Sequence, residues 1–164
     1  MIDIKKINSL DKSEFLSIFG NVFEKSTWIS EEAFKLKPFK DLDSFVSKII
    51  EIYEKSDDET IKEILNLHPE LAVEKKLTEN SEIEQLKANL KECTLEEFNQ
   101  FKILNLNYRK KFNFPFIIAV KGKNKTEILK KFRERINNSI ENEFLEAKNQ
   151  VKKIAIFRLE ELIE

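Results

Sequence analysis

Apolar residues recur at intervals of three and four positions along most of this chain, and that spacing is typical of amphipathic α-helices. One such stripe consists of Phe15, Ile18, Phe19, Val22 and Phe23. The 164 residues include only two Gly and three Pro, too few for the frequent turns of a β-sandwich. We therefore predict an all-α fold of seven or eight helices in a single domain spanning residues 1–164.

Capping residues and prolines predict where these helices begin and end. A Ser, Thr or Asp followed three positions later by Glu is typical of a capping box, which satisfies free N–H groups at a helix start. Pro69 predicts the end of the helix before it, and Asn113 predicts a left-handed C-cap. The predicted N-caps are Asp11, Ser30, Asp41, Asp57 or Asp58, Ser81, Thr94 and Thr126.

Residues 114–120 interrupt the helical pattern. The run is apolar throughout, contains Pro115, and is rich in aromatic and β-branched side chains. This composition favours extended backbone over helix. We predict one short, buried, extended segment at this place in the chain.

Composition excludes several classes of function. The 29 basic and 30 acidic residues leave a formal net charge of −1, so the chain lacks the basic surplus that non-specific nucleic-acid binding needs. Cys93 is the single cysteine and His68 the single histidine, which excludes an intrachain disulfide and a cysteine or histidine metal cluster. No signal peptide or membrane-spanning apolar run is visible. We expect a cytoplasmic protein with no metal, nucleic-acid or membrane partner.

His68 is the first candidate for chemistry. It precedes Pro69 at a predicted helix end, and a neutral imidazole can give or take a proton near pH 7. The alternative is a histidine at the surface or in a helix cap, which position alone favours.

Ser81, Glu84 and Gln85 form a second candidate group with two interpretations. Spacing alone favours a capping box for Ser81 and Glu84. In the functional interpretation, Glu84 and Gln85 lie on the first turn of a helix and face a cavity. The carboxylate of Glu84 cannot fold back on the cap and fully engage a ligand at the same time.

Arg158 lies on an apolar face of the last predicted helix, with Ile154, Ala155 and Leu162 three or four positions away. A cation there must reach solvent or find an acidic partner. The two interpretations are an ordinary ion pair and a buried guanidinium that binds an anionic or carbonyl-rich ligand.

An ordered set of short motifs resembles the 2-oxo-4-hydroxy-4-carboxy-5-ureidoimidazoline (OHCU) decarboxylase family. The motifs span nearly the whole chain, and Ser-x-x-Glu-Gln together with Lys-Phe-x-Phe-Pro-Phe is the most specific combination. Val73-Glu74 departs from the Gly and basic residue usual in the family. The matching pieces begin at Phe19 (FGxVFE), Trp28 (WI), His68 (HPELA), Leu77 (LTxxSxxEQ), Phe98 (FxxFxxLNxxYxxKFxFPFI), Val120 (VxG), Ile128 (IL) and Ile154 (IxxxRL).

The resemblance implies an all-helical fold of about eight or nine helices, a homodimer, and a carboxy-lyase that uses no cofactor on a small-molecule substrate. It implies that His68 is the acid/base group, that Glu84 is catalytic, and that Pro69 shapes the pocket. It further implies that the following residues bind substrate, the 116–119 stretch through its main chain: Ser81, Glu84, Gln85, Phe116, Ile117, Ile118, Ala119 and Arg158.

Two other functions stay open at this point. One is a non-catalytic helical scaffold or binding module, which needs no cavity joining His68, Glu84 and Arg158. The other is a decarboxylase or hydratase that acts on a related ureido-ring substrate, which pocket residues from one sequence do not distinguish.

Overall fold

The computed structural model describes residues 2–72, 78–88 and 90–163, so the Val73-Glu74 departure lies outside the described residues. The described chain contains nine α-helices and no named β-strand, which confirms the all-α prediction and exceeds the seven or eight helices that apolar spacing predicted. None of the described helices is both long and apolar enough to cross a membrane. A 3-10 helix at Leu90–Glu92 accompanies α1 to α9, whose bounds are Ile4–Ser9, Lys12–Phe19, Thr27–Phe34, Leu42–Glu54, Asp58–Leu67, Glu79–Lys87, Leu95–Phe112, Lys125–Arg135 and Ile140–Leu162.

Local capping chemistry explains most of the helix ends. The side chains of Asp11, Asp41 and Thr94 each accept a backbone N–H at the start of α2, α4 and α7, as predicted. Helix α7 ends at Asn113, whose φ of 61° is left-handed, as predicted for its C-cap. The Thr126 prediction is wrong because Asn124, two residues earlier, accepts the N–H groups of Thr126 and Glu127 and caps α8. The Ser30 prediction is also wrong, because α3 already begins at Thr27 and Ser30 lies inside it.

The fold divides into two compact units. The first unit comprises Met1–Leu67 and Val151–Glu164. In it α2 packs on α3 and α3 on α4, and the fully buried rings of Phe15, Phe19 and Phe45 contact one another at centroid distances of 4.9–6.1 Å. The single-domain prediction stays a prediction.

The second unit comprises His68–Gln150. Its core is aromatic, and the ring of Phe116 stacks on Phe132 at 3.9 Å and meets the edge of Tyr108 at 5.4 Å. Residues 114–120 are buried and non-helical, as predicted. This buried segment therefore brings its peptide groups into the core of the unit, where each needs a polar partner.

Candidate active site

His68 directly follows α5, which ends at Leu67, and His68 is only 6% exposed. Pro69 restricts the backbone of the preceding residue to extended conformations and ends the helix, as predicted. The surface interpretation of His68 is therefore wrong. Burial shields the imidazole from bulk water.

Gln85 lies on α6 and contacts the backbone that follows His68. Its Oε1 accepts the N–H of Ala72 at 3.2 Å, and its Nε2 donates to the carbonyl of Glu70 at 3.2 Å. The structure thus brings Gln85 to the 68–72 segment, although 13 and 15 residues separate the partners. A primary amide has two N–H donors and two acceptor lone pairs, so these bonds use half of its capacity.

The capping-box interpretation of Ser81 and Glu84 is wrong. Helix α6 begins at Glu79, and its N-cap is Thr78, whose hydroxyl accepts the N–H of Ser81 at 3.4 Å. Ser81 is therefore a helical residue, and it is buried. Because Thr78 is available as a cap, the helix starts three residues earlier than the Ser81 pattern predicted.

The three candidate residues on α6 lie on one side of the helix. Glu84 and Gln85 follow Ser81 by three and four positions, which places their side chains together on the helix surface. Ser81 and Gln85 are buried and Glu84 is half-buried. Since Ser81 does not cap the helix, the conflict between capping and ligand binding at Glu84 disappears.

Side chains from α8 and α9 hold the peptide groups of the non-helical segment. Arg135 donates from Nη1 to the carbonyl of Ile117 at 2.7 Å, and the N–H of Ala119 donates to Oε1 of Gln150 at 2.9 Å. Lys123 donates to the carbonyl of Ala119 at 3.1 Å. These bonds fix the backbone of the predicted substrate-binding stretch without a neighbouring strand.

Arg135 belongs to a buried polar network centred on Glu143. Nη2 and Nε of Arg135 donate to Oε1 of Glu143 at 2.6 and 2.9 Å, and Asn138 donates to Oε2 at 2.7 Å. The hydroxyl of Tyr108 donates to the same carboxylate. Burial raises the pKa of Tyr108 far above its usual range, and the hydrogen bond to Glu143 adds to the shift.

Sequence reasoning missed this network, although a signal for it exists. Arg135 follows the buried residues Ile128 and Phe132 by seven and three positions, so it lies on the apolar face of α8. Glu143 precedes buried Ala147 by four positions on α9. A charge on an apolar face indicates a buried partner, and this is the criterion that singled out Arg158.

Arg158 is 5% exposed and has the acidic partner that its position requires. Nη2 donates to Oε2 of Glu24 at 3.1 Å, and Nη1 donates to the carbonyls of Asn21 and Val22 at 3.0 and 3.5 Å. The bonds tie α9 to the turn after α2. An ion pair is thus present, and it leaves open a further role in ligand binding.

The candidate residues are divided between the units. His68, Pro69, Ser81, Glu84, Gln85 and residues 116–119 belong to the second unit, and Arg158 belongs to the first. Across the described ranges, no group of three or more His, Cys, Asp or Glu side chains could hold a metal ion.

Comparison with known proteins gives the family. Residues 8–160 match the family model described as OHCU decarboxylase. The 2-oxo-4-hydroxy-4-carboxy-5-ureidoimidazoline decarboxylase of Haloferax volcanii is 33% identical over 160 residues, covering 98% of this chain and 95% of the relative. A crystal structure of (S)-allantoin synthase superposes with a TM-score of 0.81 at 28% identity, covering 100% of this chain and 54% of that chain.

Bifunctional relatives are longer. The uric acid degradation bifunctional protein of Bacillus sp. (strain TB-90) is 40% identical over 162 residues, which cover 99% of this chain and 32% of the relative. The chain therefore spans about a third of the length of this relative.

These findings define a helical protein that carries a buried imidazole, a hydroxyl and an amide on adjoining parts of one unit. The chain belongs to the OHCU decarboxylase family.

Proposed function

We propose that this protein is a carboxy-lyase that converts OHCU to (S)-allantoin, the final step of urate degradation, without a cofactor. The observation that carries the proposal is the buried His68 within the His-Pro motif of a chain that matches the family from residue 8 to residue 160. The names of the Haloferax volcanii relative and of the solved (S)-allantoin synthase support the same reaction.

The substrate itself can accept the electrons that decarboxylation releases. In OHCU the ring carbon that bears the carboxylate also bears a hydroxyl and adjoins a C=N bond. When the bond to the carboxylate breaks and CO2 leaves, the electron pair moves into that C=N group, and its nitrogen takes a proton. The ring hydroxyl then loses its proton as a carbonyl forms, and a proton adds to the adjacent carbon.

In this proposal His68 moves a proton, either from the ring hydroxyl or to the adjacent carbon. Burial excludes water around the imidazole, and Pro69 limits its backbone. A positioned acid or base of this kind contributes about 10²–10⁴-fold to the rate. Delivery of the proton to one face of the ring would give a single enantiomer of allantoin.

The remaining candidates bind and orient the substrate in this proposal. The carboxylate of Glu84 would accept hydrogen bonds from the ureido and ring N–H groups and would also assist catalysis. Gln85 and Ser81 would add hydrogen bonds to the same groups. Arg158 would bind a carbonyl or carboxylate oxygen. The main chain of residues 116–119 would complete the site, supported by a buried backbone that Arg135 and Gln150 hold in place.

We also propose a cytoplasmic homodimer. Exposed apolar side chains on α7 support a contact between two copies, with Leu95 78%, Ile103 59% and Leu106 71% exposed. The single thiol, Cys93, suits a reducing compartment, and partial burial raises its pKa, which keeps it in the unreactive protonated form.

The proposed function is tested with freshly generated OHCU. We expect the wild-type protein to accelerate the appearance of optically active allantoin, measured by circular dichroism. We expect His68→Asn to lower turnover by about 10²–10⁴-fold while the far-ultraviolet spectrum stays helical.

The two outcomes that contradict the proposal differ. If the wild-type protein does not accelerate the reaction, the remaining functions are a scaffold and a decarboxylase that acts on a related ureido-ring substrate. Wild-type turnover in His68→Asn would retain the reaction and remove His68 from it.

A further inference from the structure

The three residues that end the 68–72 segment have peptide groups held by side-chain amides. Gln85 bonds the carbonyl of Glu70 and the N–H of Ala72, each at 3.2 Å. Between them, the carbonyl of Leu71 accepts a hydrogen bond from Nδ2 of Asn105 at 3.0 Å. Two amides from α6 and α7 therefore bind three successive residues just after His68.

The backbone that these amides hold is in an unfavourable conformation. Ala72 has a φ of 53°, in the left-handed region that a residue with a Cβ atom rarely adopts. Such a conformation persists only where the surroundings determine it. A further contact, from Nε of Arg109 to Oε1 of Glu70 at 3.0 Å, fixes the side chain of the same segment.

Asn105 is an unusual residue for its position on α7. It is 5% exposed and lies between Phe101 and Tyr108 on the buried face of the helix. Among the described residues, its buried Oδ1 atom has no hydrogen-bond partner and its Nδ2 atom bonds only Leu71. Burial of an unsatisfied acceptor lowers stability, so stability alone does not explain an amide here.

We propose that Asn105 is a positioning residue that, together with Gln85, sets the backbone after His68 and so orients the imidazole. This inference rests on the proposed function of His68 as the acid/base group. Asn105 acts through the Leu71 carbonyl, three residues from His68, and needs no contact with substrate. Gln85 keeps one N–H and one lone pair for substrate binding in the same arrangement.

The experiment replaces Asn105 with Leu, which has the same number and branching of side-chain heavy atoms and no hydrogen-bonding group. The matched control is Asn107→Leu, the same change on the same helix at an exposed position. We expect Asn105→Leu to lower kcat for OHCU about 10²-fold, the effect of a small misplacement of a catalytic group, with KM nearly unchanged. We expect Asn107→Leu to match the wild type.

A spectroscopic readout separates positioning from general damage to the fold. His68 is the only histidine, so the imidazole resonances in an NMR spectrum need no assignment. We expect Asn105→Leu to shift these resonances at fixed pH, and Asn107→Leu to leave them unchanged. Asn105→Asp, which keeps the shape and removes the N–H donor, replaces the Leu variant if that variant does not fold.

The results distinguish this inference from the proposed function. If wild-type protein has no activity on OHCU, the proposed function fails, and the imidazole resonances of the Asn105 variants still decide the positioning role. Unchanged kcat and unchanged resonances in those variants would overturn it. A rise in KM alone would assign Asn105 to substrate contact and would also overturn it.

Discussion

Each of the two units buries an arginine against a carboxylate, and the two pairs are built differently. In the first unit the guanidinium is the centre, since Arg158 binds Glu24 and also the carbonyls of Asn21 and Val22. In the second unit the carboxylate is the centre, since Glu143 accepts hydrogen bonds from Arg135 and from two further side chains. The partners are 134 residues apart in the first pair and eight in the second.

The difference decides what each pair stabilises. A buried ion pair adds little stability over a well-packed apolar pair, whereas removal of one partner leaves a charge buried without compensation. Loss of the Glu143 charge would leave Arg135 with one backbone carbonyl, that of Ile117, and would weaken the acceptor of the Tyr108 hydroxyl. Loss of the Glu24 charge would leave Arg158 with two backbone carbonyls as acceptors, so we expect the first unit to tolerate the change better.

We expect the largest loss of stability from Glu143→Gln, and Glu24→Gln in the first unit is its matched variant. Both changes keep the side-chain shape and remove one buried negative charge. We expect the free energy of unfolding to fall by about 3–5 kcal/mol for Glu143→Gln and by about 1–3 kcal/mol for Glu24→Gln, measured by urea denaturation. Equal losses of stability in the two variants would show that stability does not depend on whether the carboxylate or the guanidinium is the centre of the network.

The two tyrosines, one in each unit, are expected to have an intermediate effect on stability, which appears at alkaline pH. Burial is the largest cause of the raised pKa of Tyr53 and of Tyr108, so each keeps its proton in the folded state above the usual pKa of 10.0. Below about pH 10 each protonated tyrosine contributes fully to the free energy of unfolding. Above pH 10 only the unfolded chain ionises, so the free energy of unfolding falls by up to about 1.4 kcal/mol per pH unit for each tyrosine.

We expect tyrosinate absorbance to appear only when the protein unfolds in alkali, and Tyr53→Phe and Tyr108→Phe each to remove about half of this pH dependence. Tyrosinate formation in a chain that remains helical would contradict the burial of that ring.

The smallest expected effect concerns partly exposed ion pairs, one in each unit. Lys152 binds Glu54 at 2.5 Å in the first unit, and Arg109 binds Glu70 at 3.0 Å in the second. Water screens both pairs, so we expect Lys152→Ala and Arg109→Ala each to change the free energy of unfolding by less than about 1 kcal/mol. A larger loss for Arg109→Ala alone would reveal a stabilising role for the segment after His68.

Local chemistry made the helices predictable from the sequence. Apolar spacing and capping residues such as Asp11 and Thr94 act within one turn, so the sequence carries their effect directly. The errors arose where two caps compete. Thr78 and Ser81 both fit the start of α6, and only the structure shows that Thr78 is the cap.

Long-range polar contacts were less predictable. The apolar face of α9 indicated a partner for Arg158, but no local pattern could select Glu24, 134 residues away. The search for a charged residue on an apolar helix face would also have found Arg135 and Glu143. Asn105 also lies on an apolar face, between Phe101 and Tyr108, but a neutral amide does not require an ionic partner, so its contact with Leu71 is visible only in the structure.

The buried segment 114–120 has a consequence for the behaviour of the unfolded or partly folded chain. Residues 116–120 are apolar, rich in β-branched and aromatic side chains, and free of proline, which is the composition of strands that join intermolecular sheets. In the folded protein Arg135 and Gln150 occupy backbone groups of this stretch. We therefore expect the same side chains that hold this stretch in the candidate site to limit its pairing with other chains.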